Sequence, residues 1–262
     1  MIDWRHWHNE PFLIGGMVLL CWAYAVLTGP LRDWFTTEPF PRRRAFAFYS
    51  SLVIFYLAVG SPFDQISESL LLSAHMLQHV ILVYPSAALF LIGIPPWLIR
   101  PITSRRFLRP ILRFLTHPII CGFIFAATMT AWHAPVLYNA ALQDKVIHVF
   151  EHLMFFGSAL FYWWPILSSS EDFPHLRYSL QMLYQVGVML AMQPVAAYMT
   201  FSRDILYPTY EYAPRIIPAL SPLNDQILGG AVMVFSTMFV GFLTFAWAFF
   251  HWYQENERRR PA

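Results

Sequence analysis

Seven apolar stretches, each about as many residues long as a helix needs to cross a bilayer, dominate this chain of 262 residues. The hydrocarbon core takes about 20 consecutive apolar residues of helix to span. By that measure the segments run over roughly 11–29, 45–61, 69–94, 118–138, 146–167, 180–202 and 226–253. Lipid offers no water to a free backbone N–H or carbonyl, so each segment must satisfy its own backbone as a helix. The expected fold is an all-α integral membrane protein, a seven-transmembrane-helix bundle forming one domain over 1–262. Composition agrees: 57% of residues are hydrophobic and 12% charged, where a soluble domain carries about 25% charged. Trp and Tyr gather at segment ends, as in an interfacial belt. A net charge of +2 gives no support to a nucleic-acid partner. The opening Met1-Ile2-Asp3-Trp4-Arg5 lacks the basic stretch of a signal peptide, so the first apolar segment is expected to be retained.

Charge sets the expected orientation. Arg32, Arg42, Arg43, Arg44, Arg100, Arg105, Arg106, Arg109, Arg113, Arg177, Arg258, Arg259 and Arg260 fall on one side of the seven segments. Arg5, Lys145, Arg203 and Arg215 fall on the other. The positive-inside rule makes the first side cytoplasmic, with the N-terminus outside and the C-terminus inside.

Two histidine pairs then become informative. His75 and His79 stand one helical turn apart in the third segment, and His148 and His152 do so in the fifth. Spacing i, i+4 puts both rings of a pair on one helix face. An ionisable residue inside a span points to function, because imidazole is costly in hydrocarbon. With the orientation above, both pairs and His133 at the end of the fourth segment lie in the same outer layer. Five imidazoles at one depth suggest metal or haem ligation, against the plainer role of polar glue between helices. Asp64, Glu68, Asp144 and Glu151 are in or near that layer, as carboxylates that could orient ligating imidazoles through their second nitrogens. Met76 could offer a thioether, although methionine in such a helix is ordinarily packing; imidazole itself suits copper, zinc and iron. His117, His175 and His251 sit toward the other side, and His6 and His8 in the N-terminal tail, where a wet imidazole needs no special account. Cys21 and Cys121 lie in apolar segments without CxxC spacing and read as small buried hydrophobes.

Several motifs occur in a recognisable order. These are Ser61-Pro62-Phe63-Asp64, Ser73-Ala74-His75-Met76-Leu77-Gln78-His79, Ala131-Trp132-His133-Ala134-Pro135-Val136-Leu137-Tyr138, His148-Val149-Phe150-Glu151-His152 and Asp225-Gln226-Ile227-Leu228-Gly229-Gly230-Ala231. Over about residues 12–250 the chain resembles the CtaG family, multi-pass bacterial factors required to assemble caa-type cytochrome c oxidase. The resemblance implies a non-enzymatic assembly role in the bacterial cytoplasmic membrane, at the step that inserts copper into the haem–copper oxidase. Copper is the implied metal, held transiently, with zinc or haem as lesser alternatives. The implied partners are the oxidase subunits and an extracytoplasmic copper donor. The residues carried over are His75, His79, His133, His148, His152 and Asp64. The cysteine chemistry of an unrelated, like-named single-span copper chaperone does not transfer.

Two other readings stay open. A membrane-embedded metal-dependent hydrolase would use zinc to activate water, with Ser73 or Asp64 in support; such seven-span enzymes carry their HxxxH in the last span, where this chain has none. A b-type haem protein would take one axial imidazole from each of two helices, leaving the second histidine of each pair unexplained.

Overall fold

Proline opens most of the helices, where its fixed φ is already helical and its missing N–H is not needed. The computed structural model describes residues 4–5 and 7–259. Met1, Ile2, Asp3, His6 and Arg260, used in the readings above, lie outside the described residues. In chain order the elements are α1 (Pro11–Thr28), α2 (Arg42–Val59), α3 (Pro62–Ser69), α4 (Leu72–Ile81), α5 (Ala87–Gly93) and α6 (Pro96–Thr103). They continue as α7 (Arg109–Leu115), α8 (Pro118–Trp132), α9 (Pro135–Gln143), α10 (Lys145–Leu167), α11 (Tyr178–Phe201), α12 (Pro208–Glu211) and α13 (Pro222–Arg259). No strand occurs among the described residues.

Five helical stretches are long and apolar enough to cross a membrane: α1, Leu72–Gly93, α10, α11 and α13. Two bent pairs meet the same test jointly, α2 with α3 at 49° and α7 with α8 at 61°. The fold is therefore all-helical with five to seven candidate spans. Within Leu72–Gly93, a π-turn over Leu82–Ser86 joins α4 to α5 and contains Pro85. Proline cannot donate to the preceding turn, and the wider turn absorbs the interruption.

Two expected segments are not single straight helices. The apolar run 118–138 is divided, because α8 stops at Trp132 and α9 begins at Pro135. A proline disfavours helical backbone in the residue before it, and Ala134 is extended at φ −66°, ψ 131°. The run 45–61 ends in a bend at Ser61-Pro62, where the Ser61 hydroxyl accepts from the Phe63 N–H at 3.2 Å and caps α3.

The bundle is apolar outside and partly polar within. Phe123, Leu183, Leu190, Phe239 and Phe242 are exposed, while Asp64, Glu151, Gln185, Asp225 and Gln226 are buried. A soluble protein rarely leaves so continuous an apolar surface in water. In lipid it is the favourable face. Close helix contacts rest on α13: a Cβ on Gly230 would fall 2.3 Å from Thr200 Oγ1 and 2.9 Å from Thr200 N. Any larger residue there would push α13 away from α11. Gly229 on the next position leaves 3.2 Å from its notional Cβ to Met76 Cγ, so α13 also lies hard against α4.

Candidate metal centre

The two histidine-bearing helices are anchored at their first turns, by different means. Asp225 of α13 reaches across to α4, accepting from Leu72 N at 2.7 Å, Ser73 N at 3.2 Å and Ser73 Oγ at 2.5 Å. The two backbone N–H groups are orphan donors of a helix start, and the buried carboxylate ties the start of α4 to α13. Asp144 does the corresponding work locally for α10, accepting from Val146 N at 2.8 Å and Ile147 N at 3.1 Å. Asp144 is exposed and serves as this cap. It is not placed with the imidazoles, which corrects its expected role as a shell carboxylate.

From these anchors His75 and His79 of α4, His148 and His152 of α10, and His133 at the end of α8 turn to one interior point. All five are buried. Ring centroids are 4.4 Å apart for His75 and His79 and 4.3 Å for His148 and His152. Across helices they are 5.5 Å for His75 and His148, 5.7 Å for His79 and His152, and 5.5 Å for His79 and His133. One ligand atom from each of His75, His148, Glu151 and His152 lies within 4.8 Å of the others. Ligands about 2.0–2.1 Å from a tetrahedral ion stand about 3.4 Å apart, so small side-chain rotations would close this group on one cation. Glu151, expected only near the layer, thus belongs to the group that could hold an ion, and the His79 ring stands beside those of His75, His133 and His152.

Hydrogen bonds set which nitrogen each ring presents. His75 Nδ1 lies 2.8 Å from the Tyr210 hydroxyl, whose own proton goes to the Ser67 carbonyl at 2.7 Å. His75 Nδ1 is therefore the donor. His133 Nδ1 faces the Met129 carbonyl at 2.6 Å, which can only accept. His148 Nδ1 faces Glu68 Oε1 at 2.6 Å. In the neutral rings Nε2 is then a bare lone pair, the form that binds a metal. His75 Nε2, His133 Nε2, His148 Nε2, His152 Nε2, both His79 nitrogens and both Glu151 oxygens have no hydrogen-bond partner. Buried polar atoms are ordinarily paired. Four of these residues, His75, His148, Glu151 and His152, could together hold a metal ion.

Asp64 stands one layer out. It accepts from Gln78 Nε2 and pairs with His8 Nδ1, both at 2.5 Å. Chiefly through that hydrogen bond, Asp64 holds the His8 imidazole above its ordinary range. The tail is thus tied through Asp64 to Gln78, which stands between the two histidines of α4 in sequence. Sequence reasoning missed Tyr210, Gln78 and His8 in these roles. Gln78 carried a faint signal, lying inside the histidine pair; Tyr210, in the segment before α13, carried none. His117, His175 and His251 are placed apart from the cluster: His117 is exposed at the start of α8, and His175 and His251 bond the carbonyls of Leu176 and Trp247. Cys21 and Cys121 are free thiols, Cys121 buried against the Leu115 carbonyl at 3.1 Å.

With this geometry in place, the comparison with protein families is decisive. The family model for the cytochrome c oxidase caa3 assembly factor, Caa3_CtaG, matches residues 22–255. The chain belongs to the CtaG family. CtaG membership makes it a cytochrome c oxidase assembly factor, which implies interaction with the oxidase. The match spans α2 to α13 and so includes every residue of the imidazole cluster. No curated protein and no solved structure matches the chain.

Proposed function

We propose that this CtaG protein loads copper into a haem–copper oxidase, carrying the ion as cargo on its buried histidine cluster. In this reading each bent helix pair is one crossing, the chain spans the bacterial cytoplasmic membrane seven times, and the N-terminus is outside. The cluster then lies in the outer half of the membrane, open to a copper donor on that side and at the depth of an acceptor subunit.

The observation that carries the reading is the set of unpaired nitrogens on five buried imidazoles, gathered beside the unpaired carboxylate of Glu151. Imidazole nitrogen binds copper, zinc and iron alike, and the family's link to a copper-containing oxidase favours copper among them. Glu151 would offset the charge of an ion held away from water. Glu68 and Tyr210 would hold His148 and His75 with their lone pairs inward, the orienting role that outer partners play around metals. His8 and Asp64 would make up the outer approach.

The alternatives fare less well. A hydrolase would draw support from Ser73 or Asp64, whereas the Ser73 hydroxyl is committed to Asp225 and Asp64 to Gln78 and His8. A haem would need a cavity of several hundred Å³, and the cavity beside His79 is about 10 Å³.

Copper titration of the detergent-purified protein tests the proposal. The wild type should bind copper with nitrogen and oxygen neighbours against a competing chelator, and the triple variant His75→Ala, His148→Ala, His152→Ala should lose the ion held by those ligands while still folding. A wild type that binds no copper contradicts it. Reporter fusions test the orientation: a C-terminal reporter active only in the cytoplasm should work.

A further inference from the structure

One methionine from each of four helices meets at a small cavity beside His79. Met76 of α4, Met129 of α8, Met192 of α11 and Met233 of α13 all line it. Each is at least nineteen-twentieths buried. The cavity holds about 10 Å³, close to the room one water-sized body requires. Its lining runs past His79 to Val83, one helical turn further along the helix than the histidines. The hydroxyls of Tyr84 and Thr237, also in the lining, satisfy each other at 3.0 Å. His79 is different. It is 1% exposed, and neither ring nitrogen has a hydrogen-bond partner. Its ring is within 5.7 Å of those of His75, His133 and His152, so it belongs to the imidazole cluster and to the cavity at once.

Methionine fills irregular gaps well, which would account for one or two sulfurs here. It does not account for four, from four helices, beside an imidazole left without partners. Thioethers are soft, neutral donors that select Cu(I) over harder divalent ions. A monovalent ion among neutral ligands also costs less to bury than a divalent one, since the burial cost of a charge climbs steeply with its magnitude.

We propose that this cavity is a second copper site, specific for Cu(I), with its ligands drawn from the thioethers of Met76, Met129, Met192 and Met233 and one nitrogen of His79. The proposal rests on the copper reading above and extends it. Cu(I) held by His75, His148, Glu151 and His152 exchanges its nitrogen and oxygen ligands one at a time for His79 and then sulfur. No electron moves, and the ion leaves as it arrived. The carboxylate-bearing group captures the ion, and the thioether chamber discriminates against Zn(II), which imidazoles alone would accept.

The test uses the full-length protein in detergent, titrated anaerobically with Cu(I) against a competing chelator. The wild type should bind two Cu(I) per chain, with sulfur neighbours visible by X-ray absorption. The variant Met76→Leu, Met129→Leu, Met192→Leu, Met233→Leu, which nearly conserves side-chain volume, should bind one, with no sulfur neighbour. The variant His75→Ala, His148→Ala, His152→Ala should keep the sulfur-ligated ion. Should the quadruple variant not fold, wild-type protein labelled with 13C at the methionine methyls decides the matter. Ag(I), a redox-inert probe for Cu(I), should shift the four cavity methyl signals, and Zn(II) should shift none of them. Unmoved methyls, or a quadruple variant that binds as the wild type does, overturn this site and leave the histidine site standing. A wild type that binds no Cu(I) at all overturns both.

Discussion

Glu68 Oε1 lies 2.6 Å from His148 Nδ1, while Nε2 of the same ring is 3.9 Å from Glu151 Oε2. One imidazole is held between two carboxylates, with the first fixing its orientation and the second sharing the interior it faces. Replacing an orienting partner of this kind costs about 10- to 100-fold in metal affinity. Glu68→Leu should weaken copper binding by that order in a competition titration, with the protein still folded. Unchanged affinity would remove Glu68 from the site.

Glu151 is wholly buried, and neither carboxylate oxygen has a hydrogen-bond partner. A buried polar group in that state costs about 1–3 kcal/mol. Glu151→Leu should therefore raise the melting temperature of metal-free protein in detergent and lower its copper affinity. A less stable variant would show that Glu151 serves the fold.

Asp225 predicts the opposite pattern. Its carboxylate holds three donors at the start of α4, and a hydrogen bond to a charged group contributes about 1.5–3 kcal/mol. Asp225→Asn should lower stability by about 2–3 kcal/mol and reduce the amount of protein in the membrane. Copper bound per folded molecule should stay at the wild-type value. A stable variant with weakened copper binding would move Asp225 from anchor to site.

The proximity of the histidines was legible because it follows from local periodicity: i, i+4 spacing put each pair on one face, and segment polarity put both pairs at one end. The family resemblance rested on the same motifs. What the sequence concealed depends on long-range contacts. Nothing local says that Asp144 is spent on Val146 and Ile147 while Glu151, seven residues later, turns inward. The Tyr210–His75 hydrogen bond joins residues 135 apart in sequence, and the pocket of methionines draws on four helices. The break at Ala134-Pro135 could have been read from the proline, yet hydropathy alone runs straight through it.

His8 should make the tail sensitive to pH. Asp64 and, more weakly, Glu68 raise its pKa from the ordinary 6.5, while burial and Lys145 oppose them. A raised pKa means that docking of the protonated tail is fully stabilised below about 6.5 and weakens as pH climbs through the raised value. The His8 N–H bonds the Gly60 carbonyl at 2.9 Å. Its hydrogen exchange, corrected for intrinsic rates, should quicken as the solution turns alkaline, and His8→Gln should abolish that dependence. Equal pH dependence in both proteins would exclude the His8–Asp64 pair as its cause.

The copper content of the oxidase itself tests the central claim most directly. In cells whose only copy of this protein carries His152→Ala, the protein should be inserted at the normal level, since the ring contributes no hydrogen bond through its Nε2. The oxidase purified from those cells should contain its haem but little copper, and added copper should restore part of the loss by mass action. A copper-replete, active oxidase from those cells would contradict the account.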